Sequence, residues 1–280
     1  MDAPDLHIRR LSEVDVPACA ALARTVGWRS LESQWTMMLG VGDGFGAETD
    51  GTLVGTVIMN RFGNTLASVA MMVVSPAHQR RGVGHRLMVA GLEHAGGAAV
   101  FLYATEVGRV LYERLGFVQV GASRRMTGPA IDRSGLVIEG ARPMRSADLP
   151  RVHALDEEAQ GAPRHRLFDA LIPNVDRASV VERAGEIVAF GLSTTNDKRR
   201  VLGPIVAGDD DSARDVAAHL CVASDLPVVL DLDAGDEALY RWATNAGLTV
   251  EGTTMMMALR GTPLPGRREL VRALAGRAFG

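Results

Sequence analysis

The chain has 280 residues, of which 47% are hydrophobic and 22% are charged, and its formal net charge is −3. This length is enough for two domains that each bury a core, and the slight negative charge gives no reason to expect nucleic acid as a partner. No apolar run approaches the roughly eighteen residues of a membrane span, so we predict no membrane association.

In chain order, the sequence predicts two helices and a β-hairpin, then an apolar strand from Val69 to Val74 that ends at Ser75-Pro76. The loop after this strand, residues 79–84, leads into another predicted helix. Glycines let the backbone approach an anion closely, and the free N–H groups at a helix start point towards it. The loop therefore indicates a pyrophosphate site, formed by Gln79, Arg80, Arg81, Gly82, Val83 and Gly84.

Two common phosphate-binding loops do not fit this segment. No Gly-Lys-Ser/Thr sequence follows it, which excludes a P-loop. Leu87 stands where a dinucleotide-binding fingerprint needs its third glycine. A solvated turn with arginines on its surface is the alternative that the loop alone leaves open.

A second informative segment covers residues 101–117. A short strand from Val100 to Tyr103 precedes a predicted helix from about Gly108 to Leu115, and Gly116 ends that helix. Taken alone, Tyr112 in this helix fits the buried face of an amphipathic helix.

The chain contains an internal repeat. Residues 9–22 align with 142–155, residues 47–54 with 181–188, and residues 116–126 with 247–257, at offsets between 131 and 134. Three matches in one order indicate two copies of one fold. Each copy is predicted as helix, helix, hairpin, strand, helix, strand, helix, strand, which gives an α/β fold with a mixed sheet and helices on its faces.

We call residues 1–128 the first copy and residues 137–261 the second copy. A linker rich in Gly, Pro and Ser lies at about 127–136. The remaining residues, 262–280, form a C-terminal tail that contains several arginines. We predict that this tail is a helix, either solvated or docked on the rest of the chain.

The loop and the later helix together resemble the GNAT superfamily of N-acyltransferases. Gln79-x-x-Gly82-x-Gly84 matches the acyl-CoA loop of that family, and residues 111–117 resemble its closing helix, in which the tyrosine is a general acid. Up to about Gly261 the chain looks like tandem bacterial acetyltransferases with a degenerate second domain. The resemblance implies acetyl-CoA as co-substrate, no metal, and a cytoplasmic location, where that donor is found.

The resemblance also implies roles for residues of the first copy. An acceptor amine would attack the thioester directly, a backbone N–H at a strand bulge would stabilise the oxyanion, and Tyr112 would protonate the leaving thiolate. A tyrosine pKa near 10 suits a thiol pKa near 8.5. Thr105 would either cap its helix or bond to the co-substrate. The implied acyl-CoA contacts are Met72, Val73, Val74, Gln79, Arg80, Arg81, Gly82, Val83, Gly84, His85, Thr105, Gly108 and Tyr112.

The general base is less well defined. No Asp or Glu occurs between Asp50 and Glu93, so the central strand has no carboxylate. Glu106 has the best position, one residue after the end of a strand, and Asp43, Glu48 or a chain of waters are the other candidates. His78 could also serve, although it fits a solvated loop residue as well. Glu106 is equally an acid at a helix start that interacts with the helix dipole.

The second copy lacks the features that mark the first as a working site. Residues 79–84 align with 212–217, where neither glycine remains, and Tyr112 aligns with Ala243. Carboxylates also stand where the phosphates of acyl-CoA would bind. Like charges about 4 Å apart repel by about 4 kcal/mol at an effective dielectric constant near 20. We predict that the second copy binds no acyl-CoA. The carboxylates concerned are Asp209, Asp210, Asp211 and Asp215.

The sequence therefore predicts an N-acetyltransferase with one working site. Its acceptor is a small primary amine, or a protein lysine or N-terminus, and a non-catalytic acyl-CoA-binding regulator is the rival function. Arg164 and His165 either face the acceptor cleft of the first copy or form an exposed basic turn. Cys19 and Cys221 are predicted to be buried thiols, not a disulfide or a metal site. The sequence leaves open whether the chain forms a homodimer.

Overall fold

The computed structural model describes residues 6–29, 31–131, 138–196, 198–222 and 225–280. None of the helices in these ranges is long and apolar enough to cross a membrane. The first copy contains β1 His7–Arg10, α1 Val16–Thr25, α2 Glu32–Val41, β2 Asp43–Thr49, β3 Thr52–Phe62, β4 Leu66–Val74, α3 Val83–Ala95, β5 Ala99–Ala104, α4 Glu106–Arg114 and β6 Phe117–Gly128. The rest of the chain contains β7 Ala141–Pro143, α5 Leu149–Gln160, α6 His165–Leu171, β8 Val175–Arg183, β9 Glu186–Asn196, β10 Arg199–Ala207, α7 Asp210–Cys221, β11 Val228–Asp233, α8 Glu237–Asn245, β12 Thr249–Leu259 and β13 Val271–Ala273.

The two copies repeat the same order of helices and strands, which confirms the predicted repeat and the α/β class. The same set of ion pairs is found at the start of each copy. In the first copy Arg9 bonds to Asp15 at 2.7 and 3.0 Å and to Glu48 at 2.6 Å. In the second copy Arg142 bonds to Asp148 at 2.7 and 3.0 Å and to Glu182 at 2.7 Å. The equivalent ion pairs in both copies tie the first strand to the first helix and to the hairpin.

The Arg142–Asp148 pair makes the free energy of unfolding dependent on pH. The Arg142 guanidinium holds the pKa of Asp148 at about 2, below its ordinary value. A lowered folded-state pKa stabilises the protein above the unfolded-state pKa of about 3.9, and this stability is lost as the pH falls towards 2. We expect Asp148→Asn to lower the free energy of unfolding by about 2 kcal/mol at pH 7 and by clearly less at pH 3. Urea denaturation at the two pH values measures the difference. Asp50→Asn, in an exposed turn, is the control. If Asp148→Asn lowers the free energy of unfolding by the same amount at pH 3 as at pH 7, the Arg142–Asp148 pair is not the source of this stability.

All thirteen strands of the described residues belong to one sheet, in the order β1-β2-β3-β4-β5-β12-β6-β11-β13-β10-β9-β8-β7. The two copies exchange their last strands in the centre of this sheet. Strand β12 of the second copy pairs with β5 of the first, and β6 of the first copy pairs with β11 of the second. Strands β6 and β12 also pair with each other over ten residue pairs. Each copy therefore completes its sheet with a strand from the other.

The tail docks on the rest of the chain through a short strand, β13, preceded by a single 3-10 turn at Arg268–Leu270, so the predicted tail helix is wrong. Strands β10 and β11 pair in parallel at Arg200–Leu202 and then separate. Strand β13 enters the gap and pairs antiparallel with Ile205 and Val206 of β10 and with Leu232 of β11. The tail satisfies backbone groups that the separated strands would otherwise leave unpaired. All three residues of β13 are buried, and the order Val271, Arg272, Ala273 alternates apolar and polar side chains as in a strand.

An apolar core joins the two copies. Phe62 and Phe101 of the first copy lie in one buried cluster with Phe168 and Phe190 of the second and with Phe279 of the tail. Separate clusters lie under α3 and under α7. The shared cluster fixes the position of the second copy and of the tail relative to the first copy.

Candidate active site

Strands β4 and β5 separate next to a bulge in the first copy. They pair in parallel from Leu66–Ala99 to Val69–Leu102 and no further. Met71 and Met72 together face the single residue Val57 of β3, and Met71 has a left-handed φ of 51°. The hydroxyl of Thr56 donates a 2.9 Å hydrogen bond to the Met71 carbonyl oxygen. Because that carbonyl is held by Thr56 of β3, the bulge is a defined feature of β4, just beyond the last residue of β4 that pairs with β5.

The predicted phosphate loop lies beside this gap, at the start of α3. Gly82 has φ of 81° and Arg80 has φ of 58°, so the loop uses left-handed backbone at two positions. Gln79 turns back and donates a 3.1 Å hydrogen bond to the Val74 carbonyl oxygen. No described side chain caps α3, and residues 79–82 are exposed. Uncapped N–H groups at an exposed helix start, with arginines beside them, suit an anionic group.

Gly84 brings three predicted parts of the site together. A Cβ atom at this position would lie 3.1 Å from both the Leu111 Cδ2 atom of α4 and the Met72 Cε atom of β4, and 3.7 Å from the Val74 Cγ2 atom. Residue 84 is therefore where the end of β4, the start of α3 and the side of α4 meet. A side chain here would fill the space between the loop and the gap, which explains the need for glycine.

Tyr112 is packed in the core that lies under α3. It is 8% exposed, its ring centroid lies 6.0 Å from that of Phe117, and a Cβ atom at Gly108 would come within 2.9 Å of its Cε2 atom. Burial raises the pKa of Tyr112 to about 12, so the hydroxyl is fully protonated near neutral pH. The pKa match assumed from the ordinary tyrosine value therefore does not hold in this structure. The role of Tyr112 as an acid stays a prediction.

The structure leaves the general base as a prediction too. The Glu106 side chain is 80% exposed, with its Oε2 atom 3.7 Å from Arg109 Nε. Asp43 is bound by His94 at 2.8 Å and by Arg10 at 3.1 Å, and Glu48 is bound by Arg9. Thr105 precedes α4, but its side chain makes no capping hydrogen bond. Of the three carboxylates, Glu106 is the one without a partner closer than 3.5 Å within the described ranges.

The two cysteines are free and buried, as predicted. Burial raises the pKa of both thiols to about 12, so neither is a thiolate near neutral pH. Neither Cys19 nor Cys221 therefore has the character of a nucleophile. Within the described parts of the chain, no group of three or more His, Cys, Asp and Glu side chains is placed to hold a metal ion.

The equivalent region of the second copy is filled by its own side chains and by the tail. Asp209 caps α7 by accepting a 2.8 Å hydrogen bond from the Ser212 N–H group. Arg272 of β13 is bonded to Asp236 at 2.6 Å and pairs with Asp210 in the first turn of α7. The gap that is open between β4 and β5 holds β13 in the second copy. Sequence reasoning missed this contribution of the tail, although the alternating residues Val271, Arg272 and Ala273 carried a signal of a strand.

Comparison with known proteins assigns both copies to one family. Residues 42–119 and residues 152–273 each match a family model described as an acetyltransferase (GNAT) domain. The uncharacterized N-acetyltransferase YitH of Bacillus subtilis is 25% identical over 86% of both chains. The N-alpha-acetyltransferase RimI of Mycobacterium tuberculosis is 38% identical over 86 residues, which cover 29% of this chain and 54% of that protein.

Solved structures show the same fold. A candidate acetyltransferase from Pyrococcus horikoshii has a TM-score of 0.85 at 20% identity, covering 100% of this chain and 98% of its own. A tandem GNAT protein from the clavulanic acid biosynthesis pathway has a TM-score of 0.66 at 15% identity, covering 92% of this chain and 99% of its own. With a match in each half, the chain belongs to the GNAT acetyltransferases and is a tandem, acyl-CoA-dependent N-acetyltransferase.

Proposed function

We propose that the chain transfers an acetyl group from acetyl-CoA to a primary amine at one site, in the first copy. The observation that carries this proposal is the contrast between the two copies. The first has an open gap between β4 and β5 beside an uncapped helix start, whereas the second has a strand in its gap and a carboxylate on its helix start. A small-molecule amine is the acceptor that we favour. A peptide N-terminus is the alternative, because RimI is named as an N-alpha-acetyltransferase.

The proposed reaction is a direct transfer within a ternary complex. The amine nitrogen forms a bond to the carbonyl carbon, and the carbon–sulfur bond breaks. A backbone N–H group at the Met71–Met72 bulge donates a hydrogen bond to the carbonyl oxygen as it gains charge, which is worth about 3 kcal/mol in typical enzymes. Tyr112 gives its proton to the leaving sulfur. The amine loses a proton, and we propose that Glu106 accepts it through solvent, since its carboxylate is exposed.

The phosphate end of the co-substrate is proposed to rest on the start of α3. Met72, Val73 and Val74 supply backbone to the pantetheine arm, as an added strand would receive it. The exposed residues 79–82 and His85 lie where the phosphates would reach, and Arg80 and Arg81 supply positive charge. Thr105 and Gly108 lie at the start of α4, on the other side of the gap.

A calorimetric titration with acetyl-CoA tests the site. We expect one binding site per chain, and Gly84→Asp should weaken binding at least tenfold because a carboxylate at that position repels the phosphates and fills the space beside Leu111. Gly97→Asp is the matched control. It adds the same charge just beyond the other end of α3, where nothing lies within 4 Å of a Cβ atom.

Three results would count against the proposal. Binding of two molecules per chain would show that the second copy also takes acyl-CoA. Equal loss in Gly84→Asp and Gly97→Asp would show a general effect of charge or stability. Absence of binding to the unmodified protein would remove the assignment of acetyl-CoA. Release of free CoA with amines and with short peptides then separates the two classes of acceptor.

A further inference from the structure

A cavity of about 410 Å³ lies between the two copies. Its wall includes Tyr103 of β5, Gly121 of β6, Met256 of β12, Asp233 at the end of β11, and Arg268 of the tail. A volume of this size suits a small molecule. Both copies and the tail supply the wall, so the cavity exists only because the last strands are exchanged.

The cavity opens on the sheet face opposite α3. Leu102, Ala104 and Met257 lie in the cluster under α3, and side chains alternate between faces along a strand. Tyr103 and Met256 therefore lie on the other face. Tyr103 directly follows Leu102, the last residue of β5 that pairs with β4, so the cavity begins where these two strands separate. An amine held there would approach the gap from the side away from the phosphate loop.

The cavity contains a positive and a negative side chain, and neither forms an ion pair with the described residues. The Arg268 guanidinium is bonded to the Gln160 side-chain oxygen and lies 5.7 Å from the centre of the Phe101 ring. The Asp233 carboxylate accepts a 2.8 Å hydrogen bond from the Gly235 N–H group. A partly buried charge without an ion pair is unfavourable. Burial lowers the pKa of Arg268, and the charges of Asp233 and Asp156, which lie beyond ion-pair distance, oppose this shift only in part. Ligand charges of the opposite sign would stabilise both side chains.

We propose that this cavity binds the acceptor, and that the acceptor is a small amino acid-like molecule with a carboxylate for Arg268 and an ammonium group for Asp233. This proposal rests on the proposed function, since the transfer needs a donor in the first copy. The second copy then supplies substrate recognition, although its own co-substrate region is filled. In this assignment Arg268 and Asp233 bind the acceptor, whereas the first copy binds acetyl-CoA and positions its acetyl group for transfer.

The experiment compares amino acids with the amines that their decarboxylation gives, such as lysine with cadaverine, by release of free CoA from acetyl-CoA. We expect the amino acids to have at least tenfold higher kcat/KM. Arg268→Gln should raise the KM of the amino acids at least tenfold, with little change for the decarboxylated amines, and Arg268→Lys should restore part of the preference. Asp233→Asn should raise the KM of both sets.

Calorimetry with acetyl-CoA on the same variants separates this proposal from the proposed function. If the Arg268 and Asp233 variants bind acetyl-CoA with unchanged affinity but have an altered KM for the amines, both the proposed function and the acceptor assignment are supported. Normal acetyl-CoA binding with no activity on any amino acid, or with equal use of the decarboxylated amines, overturns the acceptor assignment alone. Loss of acetyl-CoA binding in the unmodified protein overturns both. Because Arg268→Lys keeps the charge, its behaviour distinguishes recognition from a loss of folding in Arg268→Gln.

Discussion

Tyr112→Phe should lower kcat by about 10²- to 10⁴-fold, the range that positioned acids and bases contribute in enzymes. The substitution removes one oxygen atom and leaves the ring against Phe117 and Gly108, so the core around it should be kept. Without the hydroxyl the thiolate must leave unprotonated or take a proton from solvent. The affinity for acetyl-CoA should change little, because the hydroxyl is proposed to act on the sulfur only as the bond breaks.

The pKa of Tyr112 sharpens this prediction. With a pKa of about 12, the Tyr112 hydroxyl stays protonated at every pH below about 10, where the rates would be measured. The pH dependence of kcat below pH 10 should therefore come from the acceptor amine and its base, and not from Tyr112. Initial rates at saturating acetyl-CoA, with binding measured by calorimetry, test both statements. Tyr240→Phe removes a hydroxyl from α8 of the second copy and is the control. Equal turnover of Tyr112→Phe and the unmodified protein would leave Tyr112 as a core residue only.

Arg164→Ala should lower the free energy of unfolding by about 3–5 kcal/mol, the range observed when one partner of a buried ion pair is removed. The side chains of Arg164 and Asp156 are 0% and 1% exposed, and two hydrogen bonds of 2.7 and 2.9 Å join them. Arg164 also donates to the carbonyl oxygens of Phe279 and Gly280 and lies 5.9 Å from the centre of the Phe62 ring. Removal of the guanidinium leaves a buried carboxylate at the place where the two copies and the tail meet.

Urea denaturation measures this loss, and two further variants interpret it. Arg166→Ala is the matched control. That side chain is half exposed, with a single 3.2 Å bond to the Gly40 carbonyl oxygen and an ion pair at 4.0 Å, so we expect a change below about 1 kcal/mol. The pair Asp156→Leu with Arg164→Met removes both charges and should recover much of the stability. Similar losses for Arg164→Ala and Arg166→Ala would contradict the buried pair.

The local features of the site were predictable from the sequence, because they are set by neighbouring residues. The strand before the loop, the glycines of the loop and the helix that holds Tyr112 each have a local signature, and the repeat follows from a nearly constant offset. The exchange of β6 and β12 has no such signature. A strand shows the same apolar alternation whichever copy it pairs with, and the partner is chosen by long-range packing.

Arg164 shows the same limit in a single residue. It follows Gly161 and precedes a short helix, so the sequence suggested either an exposed turn or a residue of the acceptor cleft. Both expectations are wrong, because Asp156 on α5 and the end of the tail enclose the guanidinium. Burial of a charge depends on partners that are distant along the chain. The two charges of the proposed acceptor cavity escaped sequence reasoning for the same reason.

The exchange of strands also has a consequence for the time course of synthesis. Strand β5 can pair with β4 as soon as both are made, but it gains its second neighbour, β12, only after residues 249–259 have been synthesised. Until then the nascent first copy presents an unpaired strand edge, which is a template for association with other chains. Even a second copy that binds no acyl-CoA would therefore be needed to complete the sheet of the first copy. Single substitutions in the second copy can leave this pairing intact, but a deletion of the whole copy would leave the first copy without the strand that joins β5 to β6.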